Sequence, residues 1–261
     1  MSSHVWLLTG TPFPLNIGLP VIEGNKPFFS KMIPGFDSSN LREASGPWTG
    51  IDRLQSACLG MILLNIEDLF LPEEVLCTPR ETIRLENMGP KRRKSFMAAR
   101  VALKGLVRQL GLVEKTQPDR TIETFGPDDQ RPCLAESGLY CSVSHDSRMV
   151  VAVAHDHPIG VDLEVISNKA LRVLNSFWVG GEKDLIAFSP LGPERAATLA
   201  WTAKEAAAKA LGLPLVQALR EIEMIKVGAE EGQIRYHGKI YPLWHSEGEG
   251  QILTLITCDD L

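Results

Sequence analysis

The chain of 261 residues has no C-x-x-C pair and no even cysteine framework, since Cys58, Cys77, Cys133, Cys141 and Cys258 are scattered singly. That spacing excludes a zinc ribbon or a disulfide scaffold and fits a reducing, cytoplasmic setting. A basic excess is also missing. With 27 Lys and Arg against 32 Asp and Glu the formal net charge is −5, which excludes a general nucleic-acid binder because backbone phosphates demand a broad cationic surface. Any phosphate site must be local. The longest apolar run, around Ala57 to Ile66, is too short to span a bilayer, and the first residues show no basic region followed by an apolar core. A soluble protein with no membrane or nucleic-acid partner is expected. No G-x-S-x-G elbow is present either, and consecutive residues such as Ser144, His145 and Asp146 cannot line up as the nucleophile, base and orienter of a hydrolase.

What is present suits a globular chain, with 44% hydrophobic residues for one large core or two small ones. The first 50 or so residues are broken by Thr11-Pro12-Phe13-Pro14, Leu19-Pro20, Ile33-Pro34-Gly35 and Gly46-Pro47, so residues 1–55 read as an irregular extension. From Lys91 to Gly111, Phe96, Ala99, Leu103, Leu106, Val107 and Leu110 recur at helical spacing, and the first turns carry Lys91, Arg92, Arg93, Lys94 and Arg100. Leu139–Val143, Met149–Ala154 and Ile159–Ile166 are short β-branched segments, the last two expected to form a hairpin through His155-Asp156-His157-Pro158. His155 and His157 are read as turn residues. An alanine-rich helix is expected from Pro193 to Leu211, stopped by Gly212 and Pro214. Glu221–Val227, Gln233–Tyr236, Lys239–Leu243 and Ile252–Thr257 read as closing antiparallel strands. This order argues for an α+β fold rather than a doubly wound sheet.

Three clusters carry chemistry. Gly160-Val161-Asp162-Leu163-Glu164 puts two carboxylates two residues apart on an expected strand, so both leave one face while Val161, Leu163 and Val165 leave the other. Like charges side by side need a cation or a proton, and carboxylate oxygens suit magnesium; alone, such a triplet is more often an edge strand with solvated acids. Trp201-Thr202-Ala203-Lys204-Glu205-Ala206-Ala207-Ala208-Lys209 lies on the long helix, with Trp201, Lys204, Glu205, Ala208 and Lys209 expected on one face. In isolation a surface helix with a Glu205–Lys209 pair looks the same. Ser142-Val143-Ser144-His145-Asp146 ends a strand, where the Ser144 hydroxyl and the His145 imidazole can bind a phosphate oxygen, although a lone histidine in a turn is common.

The ordered set is more specific than its parts. S-x-S-H at 142–145, G-x-D-x-E at 160–164 and W-x-x-K-E-x-x-x-K at 201–209 resemble the motifs of the 4′-phosphopantetheinyl transferase superfamily. Lys91 to Arg100 resembles the basic helix, and Gln130-Arg131-Pro132 the G-K/R-P turn, of its larger surfactin-synthetase-activating and enterobactin-type members. The likeness runs roughly from Leu71 to Tyr241. Ala99 stands where such members usually have glycine, and Arg131 replaces the commoner lysine, which keeps charge but changes donor geometry. Leu163 offers no third ligand between the carboxylates, so water would complete a metal shell.

The resemblance implies two pseudo-symmetric halves, roughly residues 56–160 and 161–261, each a small antiparallel sheet packed on a long helix, with the site in the cleft between them. It implies a holo-[acyl-carrier-protein] synthase type enzyme, monomeric and cytoplasmic. Such an enzyme moves the 4′-phosphopantetheine arm of coenzyme A onto a serine of an acyl, peptidyl or polyketide carrier protein with Mg2+, releasing adenosine 3′,5′-bisphosphate. Asp162, Glu164 and Glu205 would hold the metal, Lys204 and Lys209 would add positive charge at the pyrophosphate, and Arg93, Arg100, Arg131, Ser144 and His145 would take the phosphates and the nucleotide end. Glu205, or a water on the metal, would take the serine proton. Rival expectations are a coenzyme A-binding module that lacks transfer, a metal-dependent phosphohydrolase using the same acids, and a non-catalytic interaction protein.

Overall fold

Alternating burial along two sets of strands builds the layers of the molecule. The computed structural model describes residues 6–9, 48–66, 69, 72–114, 116–126, 131–134 and 137–258. In chain order its elements are β1 (Trp6–Thr9), α1 (Ile51–Ser56), β2 (Gly60–Asn65), α2 (Glu73–Leu76), α3 (Pro79–Glu86), α4 (Pro90–Gln109), β3 (Tyr140–His145), β4 (Met149–His155), β5 (Ile159–Val165), α5 (Asn168–Leu174), α6 (Glu182–Ala187), α7 (Pro193–Leu211), α8 (Leu215–Glu221), β6 (Glu223–Val227), β7 (Glu231–Tyr236), β8 (Lys239–Gly248) and β9 (Gln251–Thr257). One antiparallel sheet has the order β1-β2-β4-β3 and the other β5-β9-β8-β7-β6. In the first, Ile62, Leu64, Val150, Ala152 and Ala154 pack with α4, while Met61, Leu63, Val151 and Val153 belong to a separate core. A strand's period of two produces that division. The separate core also holds Val161, Leu163, Leu253 and Leu255 of the second sheet, whose Ile252 and Ile256 join the core around α7. The two sheets thus lie back to back with a long helix on each outer face, and the fold is α+β as expected.

The long helices form where periodicity places them. Each begins with proline at its first position, where no amide donor is needed, and α7 ends at Gly212, whose φ of 68° is open to glycine at little cost. The stretch 1–55, expected to be irregular, contributes β1, which pairs with β2, and α1. Trp48 is buried against Gly248. Residues 10–47 lie outside the described residues.

An internal repeat of about 100 residues is visible in the packing. Lys104, fully buried in α4, donates to Glu81 (2.6 Å) and to the carbonyl oxygen of Asp119 (3.0 Å); Lys204, fully buried in α7, donates to Glu182 (2.8 Å) and to the carbonyl oxygen of Leu219 (3.1 Å). The strand order β2-β4-β3 matches β5-β9-β8. Gly60 faces Leu106 as Gly160 faces Ala206.

Two expectations are corrected here. The segments 149–154 and 159–166 do not form a hairpin: β4 pairs with β2 and β3, whereas β5 pairs with β9, nearly a hundred residues later, in the other sheet. β4 packs apolar side chains on both faces, whereas β5 buries Ile159, Val161 and Leu163 across the back-to-back core and is paired there by β9. Lys204 is not at the cleft. Burial pushes its ammonium pKa down and that of Glu182 up, and each holds the other charged. Lys204→Met therefore leaves Glu182 buried without its counter-ion and is expected to cost about 3–5 kcal/mol of stability. Urea unfolding should show this loss, largely recovered in Lys204→Met/Glu182→Gln. Parent-like stability of Lys204→Met would contradict the buried pair.

Candidate metal and phosphate site

β5 and α7 cross at very close range. A Cβ on Gly160 would lie 1.8 Å from the carbonyl oxygen of Ala206, so only glycine admits the helix here, and the buried Ala203, Ala206, Ala207 and Ala210 keep its inner face small. This crossing sets Asp162, two residues along the strand, against Glu205 and Lys209.

Asp162 is 2% exposed. Its Oδ1 accepts hydrogen bonds from Ser144 Oγ (2.7 Å) and Lys209 Nζ (2.8 Å), and Lys209 also donates to the carbonyl oxygen of Val161 (2.8 Å). Its Oδ2 is buried and has no hydrogen-bond partner. A buried acceptor left this way costs about 1–3 kcal/mol, more if charged, so the oxygen calls for a cation or a proton.

The other two acids crowd the same spot. Glu205 is pushed up to about 7, first by burial and then by the Asp162 charge, with Lys209 opposing and Glu164 adding to the rise; in its protonated form Glu205 can supply a hydrogen bond to the Asp162 carboxylate. Glu164 is also raised, first by burial and next by the Asp162 charge; Lys169 and a hydrogen bond from Trp201 oppose it. Three carboxylates therefore repel one another around the orphaned oxygen. Among the described residues no three His, Cys, Asp or Glu side chains are gathered closely enough to hold a metal ion as they stand. The donor set is all oxygen and carries excess negative charge, which fits a hard divalent cation such as Mg2+ and not a thiolate- or imidazole-seeking metal.

Opposite these acids lies a basic wall. A cleft of about 450 Å³ runs from α3 and α4 of the first half to β5 and α7, lined by Arg84, Arg92, Arg100, His145 and Lys209 together with Asp162, Glu164 and Glu205. Arg100 is almost fully buried between two rings, its guanidinium carbon 4.8 Å from the centroid of Phe96 and 4.5 Å from that of Phe125, while Arg84 lies 5.0 Å from the Phe125 centroid. Arg100 Nη1 donates to Thr124 Oγ1 (2.8 Å) and Nε has no partner. Burial lowers the Arg100 pKa, an arrangement that an incoming anion would relieve. His145 is lowered too, first by partial burial and then by the Lys209 ammonium, which favours a neutral ring able to donate or accept.

A second, larger cleft of about 770 Å³ adjoins the first and shares Val143, Glu205 and Lys209 with it. Arg131 lies there, beside Leu139, Tyr140 and Leu213, with Nη2 3.4 Å from the carbonyl oxygen of Gly212. Gln130 of the same expected turn lies outside the described residues.

Of the expected site residues, the structure brings together Asp162, Glu164, Glu205, Lys209, Ser144, His145 and Arg100, sets Arg131 in the adjoining cleft, and separates two. Lys204 points into the second core. Arg93 turns to the far side of α4, where it pairs through Nε and Nη2 with Glu73 and donates to the carbonyl oxygen of Leu85 (3.0 Å). Helical geometry explains both corrections, because neighbouring side chains leave a helix about 100° apart. Arg92, Phe96 and Arg100 recur every fourth residue and line the cleft together, as Glu205 and Lys209 do; that spacing was a usable signal for Arg92. Arg84 and Phe125 carry no such signal.

Comparison with known proteins now adds to this geometry. Residues 158–256 match the family model of the 4′-phosphopantetheinyl transferase superfamily. Enterobactin synthase component D of Salmonella typhimurium is 32% identical over 143 residues, which is 54% of this chain and 57% of that protein. The protein of the same name from Salmonella typhi is 32% identical over 129 residues, 49% of this chain and 51% of the relative. The Escherichia coli O157:H7 protein is 26% identical over 192 residues, 73% of this chain and 88% of the relative. The match thus spans little more than half the length of the two Salmonella relatives. The resemblance carried by the three motifs is borne out: this chain is similar to 4′-phosphopantetheinyl transferases, and in particular to those of the enterobactin type.

Proposed function

We propose that the chain transfers the 4′-phosphopantetheine arm of coenzyme A to a serine of an apo carrier protein, with Mg2+, and releases adenosine 3′,5′-bisphosphate. The observation that carries this reading is the buried, unpartnered oxygen of Asp162 among three repelling acids, facing a wall of arginines across one cleft. Polyanionic substrates with a bound cation satisfy both sides at once.

Asp162, Glu164 and Glu205 would hold the ion, which when bound supplies positive charge to the diphosphate and the departing nucleotide. Ser144 and Lys209 hold Asp162 in place through its Oδ1, and Lys209, less buried than its partner, also presents charge to the cleft. Arg84, Arg92 and Arg100, with His145, bind the phosphates of coenzyme A, the arginines acting through charge-assisted hydrogen bonds. Glu205 borders both clefts, so a serine arriving through the larger one reaches the diphosphate without crossing Arg84, Arg92 or Arg100 and can give Glu205 its proton. Both halves lie in one chain, which suits a monomer. Absence of any helix, among the described residues, long and apolar enough to cross a membrane is compatible with a cytoplasmic carrier as partner.

Incubation of the purified chain with coenzyme A, Mg2+ and a panel of fatty-acid, polyketide and peptide-synthetase apo carriers should add the mass of the arm to at least one of them. No mass gain with any carrier, or release of adenosine 3′,5′-bisphosphate without a carrier, would contradict transfer. The basic wall has its own test. Arg92→Ala should raise the coenzyme A KM about tenfold, the weight of one charge-assisted contact, whereas Arg93→Ala should leave KM near the parent value, because Arg93 serves Glu73. Steady-state kinetics that reversed this order would overturn the assignment of the two arginines.

A further inference from the structure

We propose that Asp146 and Gln251 are positioning residues: the bond between their side chains locks the β3–β4 turn, and with it the cleft residue His145, against the strand pair β5–β9 that carries Asp162 and Glu164. The inference rests on reading the cleft as a coenzyme A site.

The two halves meet along β3 and β5, edge strands of different sheets that share no backbone ladder. Side chains at every second position from Ser142 close the seam instead, as the alternation of a strand allows. Ser142 Oγ accepts from the Val161 amide (3.1 Å), and Ser144 Oγ donates to Asp162 Oδ1 (2.7 Å). Just past the strand end, Asp146 Oδ2 accepts from Gln251 Nε2. Cys141 and Val143, which point the other way, pack on the first core.

Asp146 serves both sides of this joint. Its Oδ1 closes the β3–β4 turn by accepting from the amides of Arg148 (2.7 Å) and Met149 (2.8 Å). Gln251 is fully buried at the start of β9, directly opposite Val165, the residue after Glu164. Arg148 adds a second tie between the β3–β4 and β8–β9 turns, its Nη2 donating to the carbonyl oxygen of Glu249 (2.8 Å). Gln251 Oε1 is buried without a hydrogen-bond partner. An acceptor left this way is destabilising, and an apolar side chain of the same shape would avoid the penalty, so Gln251 does more for the position of Asp146 than for stability. Neither residue lines the cleft; His145, bonded in sequence to Asp146, does.

Calorimetric titration of the full chain with coenzyme A and Mg2+, without a carrier, tests the proposal. Gln251→Leu, which keeps the bulk and removes the donor, is expected to weaken coenzyme A about tenfold, the weight of one misaligned phosphate contact, with an unfolding midpoint equal to the parent's or higher. Asp146→Ser keeps one oxygen to close the turn and leaves none for Gln251, so it should show the same loss. Asp146→Asn should bind like the parent, because its oxygen still accepts from the turn amides and its amide donates to Gln251 Oε1 once that side chain turns over. Parent-like affinity in either Gln251→Leu or Asp146→Ser, or an equal loss in Asp146→Asn, would overturn the inference and leave the cleft reading standing. Parent protein that takes up no coenzyme A would overturn both. Should Gln251→Leu fail to fold, Asp146→Ser against Asp146→Asn decides alone, equal affinities counting against the proposal.

Discussion

Asp162→Asn is expected to lower kcat/KM for carrier loading by at least about 10³-fold, roughly 4 kcal/mol of transition-state stabilisation, while the folded chain stays as stable as the parent or gains stability. The two halves of that expectation have one cause. Asparagine keeps the volume of the side chain and an oxygen to accept from Ser144 and Lys209, but it removes the charge that raises both Glu205 and Glu164. What disappears is the ability to hold a cation; what also disappears is the repulsion. Stability and activity commonly oppose each other at such sites. Loading kinetics and thermal unfolding on the same preparation test both, and a variant that is fully active, or that loses its fold, would contradict the account.

Among the described glycines, Gly160→Ala should be the most disruptive added methyl, costing upwards of about 3 kcal/mol, beyond the usual range for overpacking. The added Cβ meets main-chain atoms of Ala206 and Ala210, which no rotamer change can move away. Relief requires α7 to lift off β5, and that motion carries Glu205 and Lys209 away from Asp162, so the surviving folded fraction should also have lost its transfer activity. Gly60→Ala, the matching position in the first half, provides the contrast. Its Cβ would press on the Leu106 side chain at 2.9 Å, which can turn aside, and about 1 kcal/mol with near-normal activity is expected. Urea unfolding of the two variants measures the difference; equal costs would mean that the β5–α7 crossing is looser than described.

These two residues also show what could be read from the sequence and what could not. The helical spacing in α4 and α7 sufficed to place both helices within two residues, because apolar residues recur at helical spacing along each and a proline opens each first turn. Strand existence was equally legible, strand partnership was not: β4 and β5 have the same β-branched character, and β5 joins β9 through pairs such as Asp162 with Thr254, decided by packing across distant sequence. At the site, alternation on β5 and four-residue spacing on α7 brought out Asp162, Glu164, Glu205 and Lys209. An expected shared helix face and the motif resemblance drew in Lys204, and resemblance to a basic helix drew in Arg93, whose charges look identical to their neighbours' until the helix turns them elsewhere. Lys204 is instead a structural pair whose counterpart, Lys104 with Glu81, recurs in the first half. Arg84 and Phe125 reach the cleft only through tertiary folding, so no local pattern could have named them.

The central claim, that Asp162, Glu164 and Glu205 converge on one divalent ion, is tested most directly by anomalous diffraction from crystals grown with Mn2+ and coenzyme A. The account predicts a single anomalous peak within bonding distance of all three carboxylates, absent in Asp162→Asn. A peak elsewhere, or none at these oxygens in protein that loads carriers, would contradict it.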